Sequence, residues 1–171
     1  MKNKKIEEII RVDHAGEFGA QQIYAGQIKY TKEPKLKKVL MKLAKEEETH
    51  LEYFEKTMLS KRVRPTIFHP LWKLGGFSFG AITALMGKDY VMASTEAVES
   101  VIVEHYKKQL KEIEGTKEKE LESKIKKFLQ DESEHKDTGK SNIANNTYKL
   151  KIFKNIVKKF TKGVIKISEK F

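Results

Sequence analysis

A chain of 171 residues, 39% hydrophobic and 35% charged, is long enough to bury one core and too short for two comfortable ones, so a single domain over 1–171 is expected. The lack of cysteine excludes disulfides, zinc ribbons, iron–sulfur clusters and thiolate nucleophiles, which leaves Glu, Asp and His to hold any metal. The net charge of +11 points to an anionic partner, nucleic acid or membrane, and its distribution along the chain must decide between them.

The opening MKNKKIEEIIRVDH has no apolar stretch of the signal-peptide kind, and its early acids are unlike a transit peptide, so the chain is expected to be made and kept inside the cell. From there the period is helical. Ile6, Ile10, Asp13, Glu17, Ala20 and Tyr24 share one face of a first helix, and Leu36, Leu40, Leu43, Glu47, His50 and Phe54 share one face of a second. The turn between them is TKEP, 31–34, which makes 1–60 a hairpin. Residues 61–89 form an apolar connector, TIFHPLWKLGGFSFGAITALMG at its centre, whose longest uncharged run is interrupted by Gly75-Gly76 and is too short to span a bilayer. It serves either as a buried crossover or as an interfacial insertion, with His69 and Trp72 at the interface in the second case.

A second hairpin, 90–146, follows. Met92, Thr95, Glu99, Ile102, Tyr106 and Ile113 line one helix, and Leu121, Ile125, Phe128, Glu132 and His135 the other, with the turn at EGT, 114–116. Residues 147–171 carry eight Lys against one acid, so +7 of the net charge lies in the tail. There Leu150, Phe153, Val157, Phe160, Val164, Ile167 and Phe171 recur at steps of three and four, flanked by Lys158, Lys162, Lys166 and Lys170. This is a basic amphipathic helix. It either packs on the bundle with a solvated lysine face or lies on an anionic membrane. Nucleic acid is disfavoured, because no interleaved aromatic and arginine pattern accompanies the charge.

The two hairpins repeat one pattern. Glu17 precedes Glu47-x-x-His50 by 30 residues, and Glu99 precedes Glu132-x-x-His135 by 33. Tyr24 and Gln27 follow Glu17 at the offsets at which Tyr106 and Gln109 follow Glu99, so the chain reads as an internal duplication. In an antiparallel hairpin, residues equidistant from the turn lie at one height. The midpoint of 17 and 47 falls in TKEP and that of 99 and 132 in EGT, which puts all four at similar depth, roughly 22–25 Å from their turns at ~1.5 Å per residue. Packing hairpin on hairpin therefore gathers Glu17, Glu47, His50, Glu99, Glu132 and His135. Four buried carboxylates are untenable together unless protonated or neutralised, and two divalent cations would neutralise them. One Glu from each of two helices and a Glu-x-x-His from each of the others is the ligand set of carboxylate-bridged di-iron bundles, and oxygen-plus-imidazole ligation suits iron or manganese.

The segments VDHAGEFGAQQIYAGQ, EEETHLEYF, LGGFSFGAITALMGKD, AVESVIVEHY and DESEHKDTG resemble the demethoxyubiquinone hydroxylase family of ubiquinone biosynthesis, over nearly the whole chain. His14, Ser100 and Lys136 are positions where family members are expected to vary; none removes a ligand. The resemblance implies an all-α, ferritin-like four-helix bundle, peripherally bound to a membrane. Its implied activity is hydroxylation of the ring of 5-demethoxyubiquinol with dioxygen at two iron ions held by the same six residues. It further implies NADH as reductant, although no Gly-rich dinucleotide loop is present. Tyr106 and Tyr24, two turns from their glutamates, are either core tyrosines or carriers of an electron or proton. The partners implied are a polyprenyl quinol, an anionic membrane surface, and a second copy or a ubiquinone-biosynthesis complex. The implied location is the cytoplasmic face of a bacterial inner membrane or, less readily, the matrix side of a mitochondrial one. The competing readings of such a bundle are ferritin-like iron storage and rubrerythrin-like peroxide reduction. The first is disfavoured by the apolar connector and lysine-rich tail, the second by the lack of a cysteine-ligated iron domain.

Overall fold

The computed structural model describes residues 2–170, all of whose regular structure is helical: α1 (Lys2–Tyr30), α2 (Pro34–Lys61), α3 (His69–Met86), α4 (Lys88–Ile113), α5 (Lys119–Ser141) and α6 (Tyr148–Lys170). The two expected turns are where the sequence put them. Glu33 is extended, and Pro34, with its fixed φ, opens α2 where no intrahelical N–H is needed. Arg62 closes α2 in the left-handed region at φ 55°, and the Val63 amide donates back to the Met58 carbonyl at 2.9 Å. The backbone divides into two compact units, Met1–Val91 with Gly163–Phe171, and Met92–Lys162.

In the first unit α1 packs against α2 and α3. Ile6, Ile10, Leu36, Leu40, Leu43 and Phe54 are buried as their periodicity requires, and the Gln21 amide donates to the Ala44 carbonyl across the α1–α2 seam at 2.6 Å. The connector is a helix, and it runs straight through Gly75-Gly76 instead of breaking there. The reason is a contact that a linear reading cannot see. A Cβ at Gly76 would lie 2.9 Å from the Gln22 Cβ, and one at Gly80 would collide with the Ile23 carbonyl oxygen of α1. Glycine's weak helix propensity, about 1 kcal/mol worse than alanine, is outweighed by this close approach of two helices. The opposite face of α3 is open: Leu71, Leu74, Ile82 and Leu85 are all more than half exposed. Gly87, at φ 105°, makes the one-residue joint to α4, a conformation that residues with a Cβ rarely adopt.

Gly80→Ala is expected to lower the urea midpoint. Overpacking against a backbone carbonyl costs about 1–3 kcal/mol and exceeds the gain in helix propensity. Gly163→Ala in α6, where an added Cβ meets nothing within 4 Å, is expected to raise it. Equal midpoints for the two variants would show that the α1–α3 seam yields freely.

In the second unit Leu121, Ile125 and Phe128 of α5 are buried, as are Met92 and Ile113 of α4, and Gly139 brings α5 within 2.7 Å, measured from a built Cβ, of the Glu96 amide nitrogen. α6 joins α4 through two ion pairs, Lys154 with Glu96 and Lys162 with Glu104, each 3.0 Å. Partners eight residues apart on both helices mean that α6 runs parallel to α4 here. The duplication thus extends beyond the hairpins: each is followed by a third helix laid on its first.

The expected stripe on α6 is buried only in part. Leu150 and Val157 are inside, whereas Phe160 is 68% and Ile167 42% exposed, and Ile152 and Ile156 are also exposed. Phe171, the last residue of that stripe, lies outside the described residues. α6 thus carries buried apolar groups and a second, exposed apolar row. Neither α3 nor any other helix among the described residues is long and apolar enough to cross a membrane.

Candidate metal centre

All six side chains singled out by the repeat are buried, each 4% exposed or less. In the first unit, Glu17 comes from α1, and Glu47 and His50, one turn apart, from α2. His50 Nδ1 lies 3.6 Å from a Glu17 carboxylate oxygen and 3.8 Å from one of Glu47. One ligand atom from each of the three falls within 4.8 Å of the others. In the second unit, Glu132 and His135 stand one turn apart on α5, with His135 Nδ1 3.3 Å from a Glu132 oxygen, and Glu99 is buried on α4. Ligand atoms about 2.1 Å from a shared ion lie at most about 4.2 Å apart, so the separations at His50 and at the Glu132–His135 pair fit a metal. The donor set of carboxylate oxygen and imidazole nitrogen suits iron or manganese.

Tyr24 and Tyr106 are both buried, two turns from their glutamates. The repeated glutamines have separate tasks. The Gln27 amide donates to Thr83 Oγ1 at 3.3 Å, and Thr83 donates to the Gly80 carbonyl at 2.8 Å, which ties α3 to α1. The Gln109 amide instead donates to His105 Nε2 on its own helix, at 2.8 Å.

An aromatic cluster next to Glu17 escaped the sequence reading as a unit. His69 opens α3 and stacks on Phe18, ring centroids 3.7 Å apart, and the His14 ring lies 5.9 Å from His69 at an angle of 17°. The individual signals were visible, but pairing His14 with His69 requires knowing that α3 lies on α1. Burial, with His69 beside it, holds His14 down to about 4 from the usual 6.5, while Glu17 acts the other way; desolvation and Lys73 also lower His69.

A pH dependence follows from His14. The unfolded chain takes up this proton near pH 6.5 and the folded chain only near 4, so the unfolded state binds more protons between those values. Stability from this group is complete above pH 6.5 and is lost as the pH falls towards 4. The urea midpoint of the metal-free protein is expected to drop more steeply over that window than that of His14→Gln. Parallel curves would contradict it.

By class, then, this is an all-helical bundle protein whose buried Glu and His side chains could hold a metal. Residues 4–168 match the family described as "Ubiquinone biosynthesis protein COQ7". A Dictyostelium discoideum protein named "NADPH-dependent 3-demethoxyubiquinone 3-hydroxylase, mitochondrial" is 44% identical over 170 residues, which is 98% of this chain and 78% of that protein. The human protein of the same name is 41% identical over 168 residues, 96% and 77% of the two chains. A Rhodospirillum rubrum "3-demethoxyubiquinol 3-hydroxylase" is 38% identical over 166 residues, 96% and 78%. The chain belongs to this ubiquinone-biosynthesis family. The Dictyostelium and human names specify NADPH where the expectation was NADH, and the Rhodospirillum rubrum name specifies no nucleotide.

Proposed function

We propose that the protein hydroxylates the ring of 5-demethoxyubiquinol with dioxygen, at a pair of iron ions held by Glu17, Glu47, His50, Glu99, Glu132 and His135. The observation that carries this reading is that both E-x-x-H histidines turn Nδ1 towards a buried glutamate, in a chain that matches the hydroxylase family almost end to end. When bound, the iron pair supplies the redox chemistry that activates dioxygen.

The chain's own residues do the rest. The glutamates supply negative charge for the cations, and the histidines supply neutral nitrogen. The buried apolar rows of α1, α2, α4 and α5 exclude water, which would otherwise divert the oxidant. Tyr24 or Tyr106, buried and close along the helix to a ligand, carries an electron or proton between the ring and the site. Monooxygenation sends one oxygen atom to the ring and one to water, and the two electrons come from a nicotinamide dinucleotide, NADH or NADPH. A polyprenyl quinol stays in the bilayer, so the protein sits peripherally on a membrane, the cytoplasmic face of an inner membrane in a bacterium. The open apolar faces of α3 and α6 support this.

The test is anaerobic loading with ferrous iron, followed by addition of dioxygen, a reduced nicotinamide dinucleotide and a short-chain demethoxyquinol. Two irons per chain and one hydroxylated quinol per dioxygen consumed are expected. Iron oxidation or peroxide consumption with no quinol product would favour the storage or peroxidase reading instead.

A further inference from the structure

We propose that the place on His14 and Phe18 of α1 that His69 of α3 now covers is the subsite for the substrate's methoxylated ring, with His14 Nδ1 as hydrogen-bond partner to a ring oxygen. This rests on the hydroxylase reading and adds to it where the ring sits. His14 and Phe18 flank Glu17 within one turn of α1, so a ring held there lies beside a metal ligand.

Among the described residues, His14 Nδ1 is buried and has no hydrogen-bond partner, and the same holds for Trp72 Nε1, three residues along α3 from His69. Buried polar groups are ordinarily satisfied, and an unpaired one is costly to retain. An oxygen-bearing ligand would satisfy them. His14 is 6% exposed and is held neutral by its burial, so Nδ1 can donate to a carbonyl in one tautomer and accept from a hydroxyl in the other. Both oxidation levels of a quinone ring are served by the same nitrogen.

The face of Phe18 already carries a planar ring, that of His69, at stacking distance. No second ring fits between rings so close, so the substrate ring takes the place of His69. That imidazole is only half-buried and follows the non-helical stretch 62–68, so it can swing outward. The isoprenoid tail then leaves along α3, where Leu71 and Leu74 are exposed.

Trp72 is the only tryptophan of the chain, so its fluorescence reports on this corner alone. The iron-loaded protein, kept anaerobic and without reductant, is titrated with a methoxy-methyl-benzoquinone bearing a short isoprenoid tail. Saturable quenching is expected. His14→Leu should raise the apparent Kd about tenfold, the cost of one buried hydrogen bond, and His14→Gln, which keeps a polar partner, should stay within about threefold. Phe18→Leu should also weaken binding about tenfold by removing the stacking face, and it tests the subsite independently should His14→Leu fail to fold. Unsaturable quenching, His14→Leu binding within threefold of the parent, or equal losses in His14→Leu and His14→Gln would each overturn the proposal. The hydroxylase reading fails separately, if the unaltered protein binds the ring and iron yet forms no product.

Discussion

Glu47→Ala and His135→Ala are each expected to abolish quinol hydroxylation and to lower bound iron, whereas Glu55→Ala does neither. Glu47 and His135 are buried, 1% and 2% exposed, in different units, and Glu55 is exposed on α2. Changing even a residue that only supports a metal ligand typically costs 10–100-fold in metal affinity. Losing a ligand itself should therefore cost more than about a hundredfold. Stability adds a signature that a merely structural role would not produce. Without metal, Glu47 and Glu17 are two carboxylates held close to the same imidazole nitrogen, so removing one relieves repulsion. The cavity left by the shortened side chain acts against this gain, so the metal-free Glu47→Ala protein should melt close to the parent. In saturating ferrous iron the parent should gain several degrees and the variant little, because a ligand that binds only the folded state stabilises by mass action. Full activity in Glu47→Ala, measured by quinol product and iron per chain, would sink the metal assignment.

The six candidate ligands were legible in the sequence for the same reason that they are unusual in the structure. A Glu and a His recurring in register with Leu36, Leu40, Leu43 and Phe54 can only point inward, and burial of all six bears that out. Both turns were legible because the apolar rows stop on either side of them. What the sequence hid is non-local. α3 carries Gly76 and Gly80 because α1 comes close enough there to leave no room for a Cβ, a fact of tertiary packing that local propensity opposes. The lysine flank of the tail read as one solvated or membrane-facing row, yet Lys162, and Lys154 outside that row, are paired with Glu104 and Glu96. Those partners could be known only once α6 was seen running parallel to α4. The His14–His69 contact belongs to the same category.

α6 is expected to hold the protein on a bilayer by apolar insertion as well as by charge, and the two contributions are separable. Lys162 already faces Glu104 across 3.0 Å, so it is a poor reporter of lipid binding. Lys158, Lys166 and Lys170 remain from the predicted flank. A lysine near an anionic surface contributes about fivefold to binding. Replacing these three by Gln should weaken association with phosphatidylserine-containing vesicles on the order of a hundredfold at low salt and leave binding to neutral vesicles unchanged. Ile156→Ser with Phe160→Ser removes two exposed apolar side chains, 61% and 68% accessible, and should weaken binding to both kinds of vesicle about equally. Raising salt should mimic the lysine variant but not the serine one, since charge is screened over about 8 Å at physiological ionic strength while apolar burial is not. Vesicle co-sedimentation of the three proteins across a salt series decides the matter. If the serine variant sediments like the parent, the outer row of α6 does not enter lipid. If the lysine variant does so too, the tail is a packed helix with a solvated basic face, and the membrane contact must come from Leu71, Leu74, Ile82 and Leu85 of α3 instead.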